Sequence, residues 1–315
     1  MDADVLLETR GLTKRFGQNT AVADFGLSLH KGEIVGLLGP NGAGKTTTLR
    51  MLAGCLAPSQ GDVRICGVDL AEQPKAAKRA IGYLPERPPV YGELSVDEYL
   101  RYCAALRGLR SQARREALNR AKQACGLTDA GDKLIGTLST GYQQRVGLAQ
   151  AIVHSPRVVI LDEPTVGLDP IQIREIRGLI RGLGEAHGII LSSHILPEVQ
   201  AVCDRVMIIH RGRVVYSDTM AATTQAQFEA VLITLTRSPA VTALQQIAGV
   251  RGIEELGGGQ WRLRLADGAD PRQALAQAAV AGDWGLIELK AEIKTLEERF
   301  VELTSSDEPA LRQAA

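Results

Sequence analysis

Apolar positions in the first two thirds of the chain fall into short continuous runs separated by amphipathic stretches. Ile34–Leu38, Val158–Leu161 and residues 189–191 are runs of β-branched residues and Leu, the pattern of strands covered on both faces. Their alternation with helical periodicity predicts an α/β protein with a mainly parallel sheet. Residues 206–209 and 214–216, separated by His210-Arg211-Gly212-Arg213, read instead as a hairpin closing this region, so a boundary is expected near residue 220.

Between about 87 and 155 the period changes after the turn-rich Pro85-Glu86-Arg87-Pro88-Pro89, and an inserted helical subdomain is expected. Ser95 and Glu98 have capping-box spacing, and Val96, Tyr99, Leu100 and Cys103 then recur on one face. Ala117, Leu118, Ala121, Ala124 and Cys125 repeat that stripe. After residue 220 the pattern predicts strand 231–235, helix 240–247, strands 252–256 and 261–265, helix 271–279 and strand 286–289, with Gly257-Gly258-Gly259 as the central turn. This small α+β domain is expected to be ferredoxin-like, with a regulatory or interaction role, followed by a helix over 292–304 and a frayed polar tail.

Composition changes this picture little: 45% hydrophobic and 23% charged residues are ordinary for a globular protein and exclude a disordered or collagenous chain. Lys plus Arg and Asp plus Glu are 36 each, so no positive excess points to nucleic acid, and no nucleic-acid partner is expected. Five widely spaced cysteines without a C-x-x-C pair fit a reducing compartment. No basic leader and no run of eighteen apolar residues occurs, so any work at a membrane requires another polypeptide to cross it.

Gly39, Pro40, Asn41, Gly42, Ala43, Gly44, Lys45 and Thr46 spell G-x-x-x-x-G-K-[ST] between the strand Ile34–Leu38 and a helix expected over 46–52. The glycines let successive N–H groups face phosphate oxygens, Lys45 spans β- and γ-phosphates, and Thr46 would ligate Mg²⁺, with Thr47 next to it at the helix start. The strand Val158–Leu161 ends in Asp162 and Glu163, placing a Mg²⁺ carboxylate and a candidate base at the sheet edge where α/β proteins bind ligands. His194 follows the strand 189–191 and Ser192-Ser193, again at a carboxyl end. His30, His154, His187 and His210 read as structural hydrogen-bonders.

Leu138-Ser139-Thr140-Gly141-Tyr142-Gln143-Gln144-Arg145, with Ser139 some 94 residues after Lys45, resembles the signature segment of the ATP-binding-cassette ATPases. Phe16 in Lys14-Arg15-Phe16-Gly17 matches that family's adenine-stacking aromatic, and Val166-Gly167-Leu168-Asp169 its dimer-interface loop. The resemblance covers residues 5 to about 217 and implies a P-loop NTPase fold, with a RecA-like core, an antiparallel β part and a helical subdomain. It also implies that Ser139 and Gly141 contact the ATP of a second cassette, and that Glu163 and His194 are catalytic. Thr140 and Tyr142 depart from the usual L-S-G-G-Q, and Glu86 stands where a glutamine is usual, as a possible third Mg²⁺ ligand. These departures, and the segment from Leu296 to Leu303, resemble the type-two exporter subgroup that includes multidrug-resistance and gliding-motility systems.

The expected function is that of an ATP-hydrolysing subunit at the cytoplasmic face of the inner (plasma) membrane. It would work as a homodimer or heterodimer of cassettes and drive a multi-spanning permease on a separate chain. The competing reading is a soluble cassette ATPase acting on ribosomes or DNA. Such proteins usually carry two cassettes, a long coiled coil or zinc modules, and none of these is present in the sequence.

Overall fold

The structure, a computed structural model, describes residues 4–224, 228–266, 269–293 and 295–305. Its contacts divide the chain into two units, Met1–Met220 and Ala221–Ala315. The first opens with β1 (Val5–Phe16), β2 (Asn19–His30), β3 (Ile34–Leu38), α1 (Lys45–Leu52), β4 (Gln60–Ile65), β5 (Val68–Asp69), α2 (Pro74–Arg79) and β6 (Ile81–Leu84). It continues through α3 (Val96–Leu106), α4 (Ser111–Ala124), α5 (Thr140–Ile152), β7 (Val158–Leu161), α6 (Pro170–Gly184), β8 (Gly188–Ser193), α7 (Leu196–Val202), β9 (Arg205–His210) and β10 (Arg213–Thr219).

The six-stranded sheet has the order β10-β9-β3-β8-β7-β6, parallel except for the edge strand β10, which pairs antiparallel with β9. Every residue of β3, β7 and β8 is buried, which is why their sequences are continuously apolar until the polar ends that face the site. An antiparallel sheet of order β2-β1-β4-β5 packs on one side. Leu7, Phe25 and Leu29 of this sheet share a fully buried cluster with Leu37, Ile160 and Ile190 of the parallel layer and Leu52 of α1.

No strand interrupts α3, α4 and α5. The Ser95 hydroxyl accepts from Glu98 N, while the Glu98 carboxylate accepts from Ser95 N, so a complete capping box starts α3. Val96, Tyr99 and Leu100 are buried as the stripe requires, with Cys103 half-buried. On α4, Ala117, Leu118 and Ala121 are buried and Cys125 is buried at the C-cap, but Ala124 is exposed, because α4 ends there and the stripe passes to Cys125 and Leu127.

After α8 (Met220–Thr224), the second unit contains β11 (Phe228–Leu235), α9 (Val241–Gln245), β12 (Val250–Gly257), β13 (Gln260–Leu265), α10 (Arg272–Ala281), β14 (Leu286–Ile293) and α11 (Leu296–Ser305). Its sheet order, β12-β13-β11-β14 with all neighbours antiparallel, is that of a ferredoxin-like split βαβ. Val231, Ile233, Trp261 and Leu263 form its core with Leu244 and Leu275 from the helices. The final helix begins at Leu296 rather than at Glu292. Glu292 is still paired with Ala230, and its carboxylate accepts two hydrogen bonds from Arg262, so β14 extends through it. The expected frayed tail lies outside the described residues.

Candidate active site

The order β3-β8-β7 sets three carboxyl ends side by side: β3 leads into the glycine-rich loop, β7 into Asp162 and Glu163, and β8 into Ser192, Ser193 and His194. Between them lies a cavity of about 390 Å³ lined by residues 41–47, Glu86, Glu163 and His194, with Ala21 and Val166. Two of the loop's glycines have no room for a side chain. A Cβ on Gly39 would sit 2.3 Å from the Ile209 carbonyl, and one on Gly44, whose φ is 106°, would sit 2.6 Å from that of Ala21.

Lys45, almost fully buried at the first turn of α1, donates to the carbonyls of Gly39 at 2.7 Å and Pro40 at 3.3 Å. It also lies 3.2 Å from Glu163 Oε1. The other carboxylate oxygen, Oε2, is 3.0 Å from His194 Nδ1. Glu163 is therefore held from both sides, and its backbone adopts φ of 45°, a left-handed conformation uncommon for a residue with a side chain. Ser192 locks this turn by accepting from Glu163 N at 2.9 Å and donating to Asp162 Oδ1 at 2.7 Å.

Asp162 also accepts from Thr46 Oγ1 at 3.1 Å. Burial pushes its carboxyl above the ordinary range, with Glu163 and Glu86 nearby acting in the same direction, while the Ser192 and Thr46 hydroxyls oppose the shift. Asp162 Oδ2 is buried with no hydrogen-bond partner. Thr46 and Glu86 line the cavity, and Asp162, bonded to the Thr46 hydroxyl, adds an orphaned carboxylate oxygen behind it, a hard-oxygen donor set that fits Mg²⁺.

Not every expected site residue meets here. Phe16 is exposed outside the cavity lining, with Lys14 Nζ 5.2 Å from its ring centroid. Ser139 and Gly141 also lie outside the lining, where Ser139 is the N-cap of α5. The signature glycine has a packing reason within the chain, since a Cβ on Gly141 would come 2.8 Å from the Gln172 side chain of α6. Asp169 caps α6 by accepting from Ile171 N and Gln172 N, both at 2.9 Å. Nothing in the sequence marks Ala21, Thr165, Ser192 or Glu198, because their contacts arise only between distant segments.

A family model described as ABC transporter matches residues 22–166. A Bacillus subtilis (strain 168) protein, described as the uncharacterized ABC transporter ATP-binding protein YhcH, is 34% identical over 316 residues, covering 98% of this chain and 99% of that relative. The Bacillus licheniformis bacitracin transport ATP-binding protein BcrA is 40% identical over 210 residues, 66% of this chain and 68% of BcrA. Among solved structures, one described as an ATP-binding subunit of an ABC transporter superposes with a TM-score of 0.63 at 32% identity, covering 69% of this chain and 91% of that one.

Proposed function

Because this chain belongs to the ATP-binding subunits of the ABC transporter family, we propose that it hydrolyses ATP at the Lys45, Glu163 and His194 site and uses the cycle to drive a permease carried on a separate chain. The observation that carries this reading is the convergence of Lys45, Glu163 and His194 within 3.2 Å contacts on the wall of the cavity beside the glycine-rich loop. Backbone N–H groups of the loop and the N-terminus of α1 bind the phosphates, and Lys45 balances their charge. Glu163 orients the attacking water and takes its proton, while His194 keeps the carboxylate turned toward the cavity. Thr46, Asp162 and Glu86 would hold Mg²⁺, which when bound neutralises charge on the β- and γ-phosphates.

Ser139 and Gly141 lie off the cavity of their own chain, which supports a pair of cassettes facing each other, each giving its signature segment to the other's nucleotide. Phe16 is exposed, as stacking on adenine requires. Among the described residues no helix is long and apolar enough to cross a membrane. A peripheral position on the inner face of the membrane, beneath a separate permease, accommodates this. The similarity to BcrA, a bacitracin transport protein, supports a transport role, and the resemblance of residues 138–145 to the type-two exporter subgroup supports export as the direction.

Two measurements test the reading. Purified full-length chain is expected to release phosphate from ATP only when Mg²⁺ is supplied. Affinity purification of the tagged chain from detergent-solubilised membranes, followed by mass spectrometry, is expected to recover a multi-spanning protein. Recovery of ribosomal or DNA-associated proteins from the soluble fraction, without a membrane protein, would overturn the transport assignment.

A further inference from the structure

Glu198 is a buried carboxylate that the phosphate chemistry above does not use. It lies in the first turn of α7 at 5% exposure, and one of its oxygens receives two hydrogen bonds. Thr165 Oγ1 donates to Oε2 at 2.6 Å, and Ser193 Oγ donates to the same atom at 2.9 Å. The second oxygen, Oε1, is 3.8 Å from Nη2 of Arg177 on α6. Thr165 and Ser193 are themselves buried.

The positions of these two hydroxyls in the chain give the contact its meaning. Thr165 is two residues beyond Glu163, and Ser193 immediately precedes His194. Ser193 Oγ also accepts from Ile195 N at 3.0 Å, so this one hydroxyl fixes the chain on both sides of His194. A single carboxylate oxygen thus joins the two segments whose side chains meet at Glu163 Oε2 and His194 Nδ1, 3.0 Å apart. Buried hydroxyl donors need an acceptor, and an ionised one makes the stronger bond. Arg177 supplies the opposing charge.

We propose that Glu198 is a positioning residue for ATP hydrolysis, setting the separation of Glu163 and His194 through Thr165 and Ser193. The inference rests on the ATPase reading given above. It makes the two loops move as one body, so a shift of His194 toward a bound phosphate carries the Glu163 turn with it. A purely structural ion pair would instead change stability and leave turnover per folded molecule untouched.

The test is steady-state phosphate release by the full-length chain across ATP concentrations, with binding of a fluorescent ATP analogue measured separately. Glu198→Ala is expected to lower kcat by about 10- to 100-fold, the effect of slight misplacement of reacting groups. KM and analogue affinity should stay within about twofold, because the phosphate loop is untouched. Glu198→Gln keeps an oxygen for both hydroxyls and is expected to recover most of kcat. Thr165→Val and Ser193→Ala each lower kcat, and Thr165→Val adds nothing further in the Glu198→Ala background, the coupling expected of one shared contact.

Wild-type kcat in folded Glu198→Ala overturns the proposal, as does full additivity of the Thr165 and Glu198 changes. If Glu198→Ala does not fold, wild-type kcat in both Thr165→Val and Ser193→Ala overturns it. A wild-type chain that releases no phosphate overturns the ATPase reading and this inference with it, whereas an active wild type beside an equally active E198A removes the inference alone.

Discussion

Glu163 is the residue on which several constraints meet: a left-handed backbone, a lysine on one oxygen, a histidine on the other and a serine hydroxyl at its N–H. Replacing only its charge keeps that frame, so Glu163→Gln should retain ATP binding while turnover falls by about 10²-fold or more, the usual contribution of a general base. Lys45→Ala should instead weaken ATP binding strongly in a calorimetric titration, since no other lysine or arginine lines the cavity among the described residues. His154 carries a different kind of prediction. Its Nε2 donates to the Ile81 carbonyl at 3.0 Å and Nδ1 is buried without a partner, so the neutral tautomer is fixed. Burial, helped by the nearby Arg107 charge, lowers its pKa from 6.5 to about 4. As pH falls below 6.5 the unfolded chain takes up the proton first, so the stability contributed by neutral His154 is complete above that value and is lost toward pH 4. Within that window the loss is roughly 1.4 kcal/mol per pH unit. The drop in thermal midpoint between pH 7 and pH 5 should therefore be smaller in His154→Gln, which keeps the donor to Ile81 but cannot be protonated.

At the scale of elements, close packing decides where substitution is tolerated. The strand β6 runs directly under α5, and a Cβ on Gly82 would lie 2.1 Å from the Ala151 carbonyl, a backbone atom that cannot rotate away. Gly82→Ala should destabilise by about 1–3 kcal/mol, the range for overpacking, read as a lower denaturant midpoint. Ser95→Ala removes half of the capping box on α3 and should cost about 1 kcal/mol by the same measurement. Such elements differ in how far the sequence reveals them. The strands β3, β7 and β8 are legible because burial on both faces leaves no polar residue until the strand ends, and the loop after β3 is legible because only glycine fits beneath Ile209 and Ala21. The α11 start is not, because Glu292 belongs to a strand through Arg262, a partner 30 residues away. Glu198 is equally hidden: in sequence it is an acid in the first turn of an ordinary helix, and its bonds to Thr165 and Ser193 exist only after β7 and β8 pair.

At the scale of the whole molecule, each unit has its own buried cluster, around Phe25 and Ile190 in one and around Trp261 and Leu263 in the other. A chain ending at residue 220 should therefore unfold cooperatively and bind ATP with full-length affinity, checked by calorimetry and circular dichroism. Loss of ATP binding in a folded fragment would instead assign part of the nucleotide site to residues 221–315. Within the first unit, Gly212 joins three distant parts through its main chain alone. Its carbonyl accepts from Ala23 N on β2, its N–H donates to the Ala43 carbonyl in the phosphate loop, both at 2.8 Å, and at φ of 75° a Cβ would strike the Ala21 carbonyl. The antiparallel sheet that ends in Phe16 is thereby bolted to the phosphate cradle by backbone, with no side chain between them. With Phe16 stacked on adenine as proposed, the span from that ring to the phosphate loop would act as a gauge of fixed length, measuring a nucleotide from base to terminal phosphate.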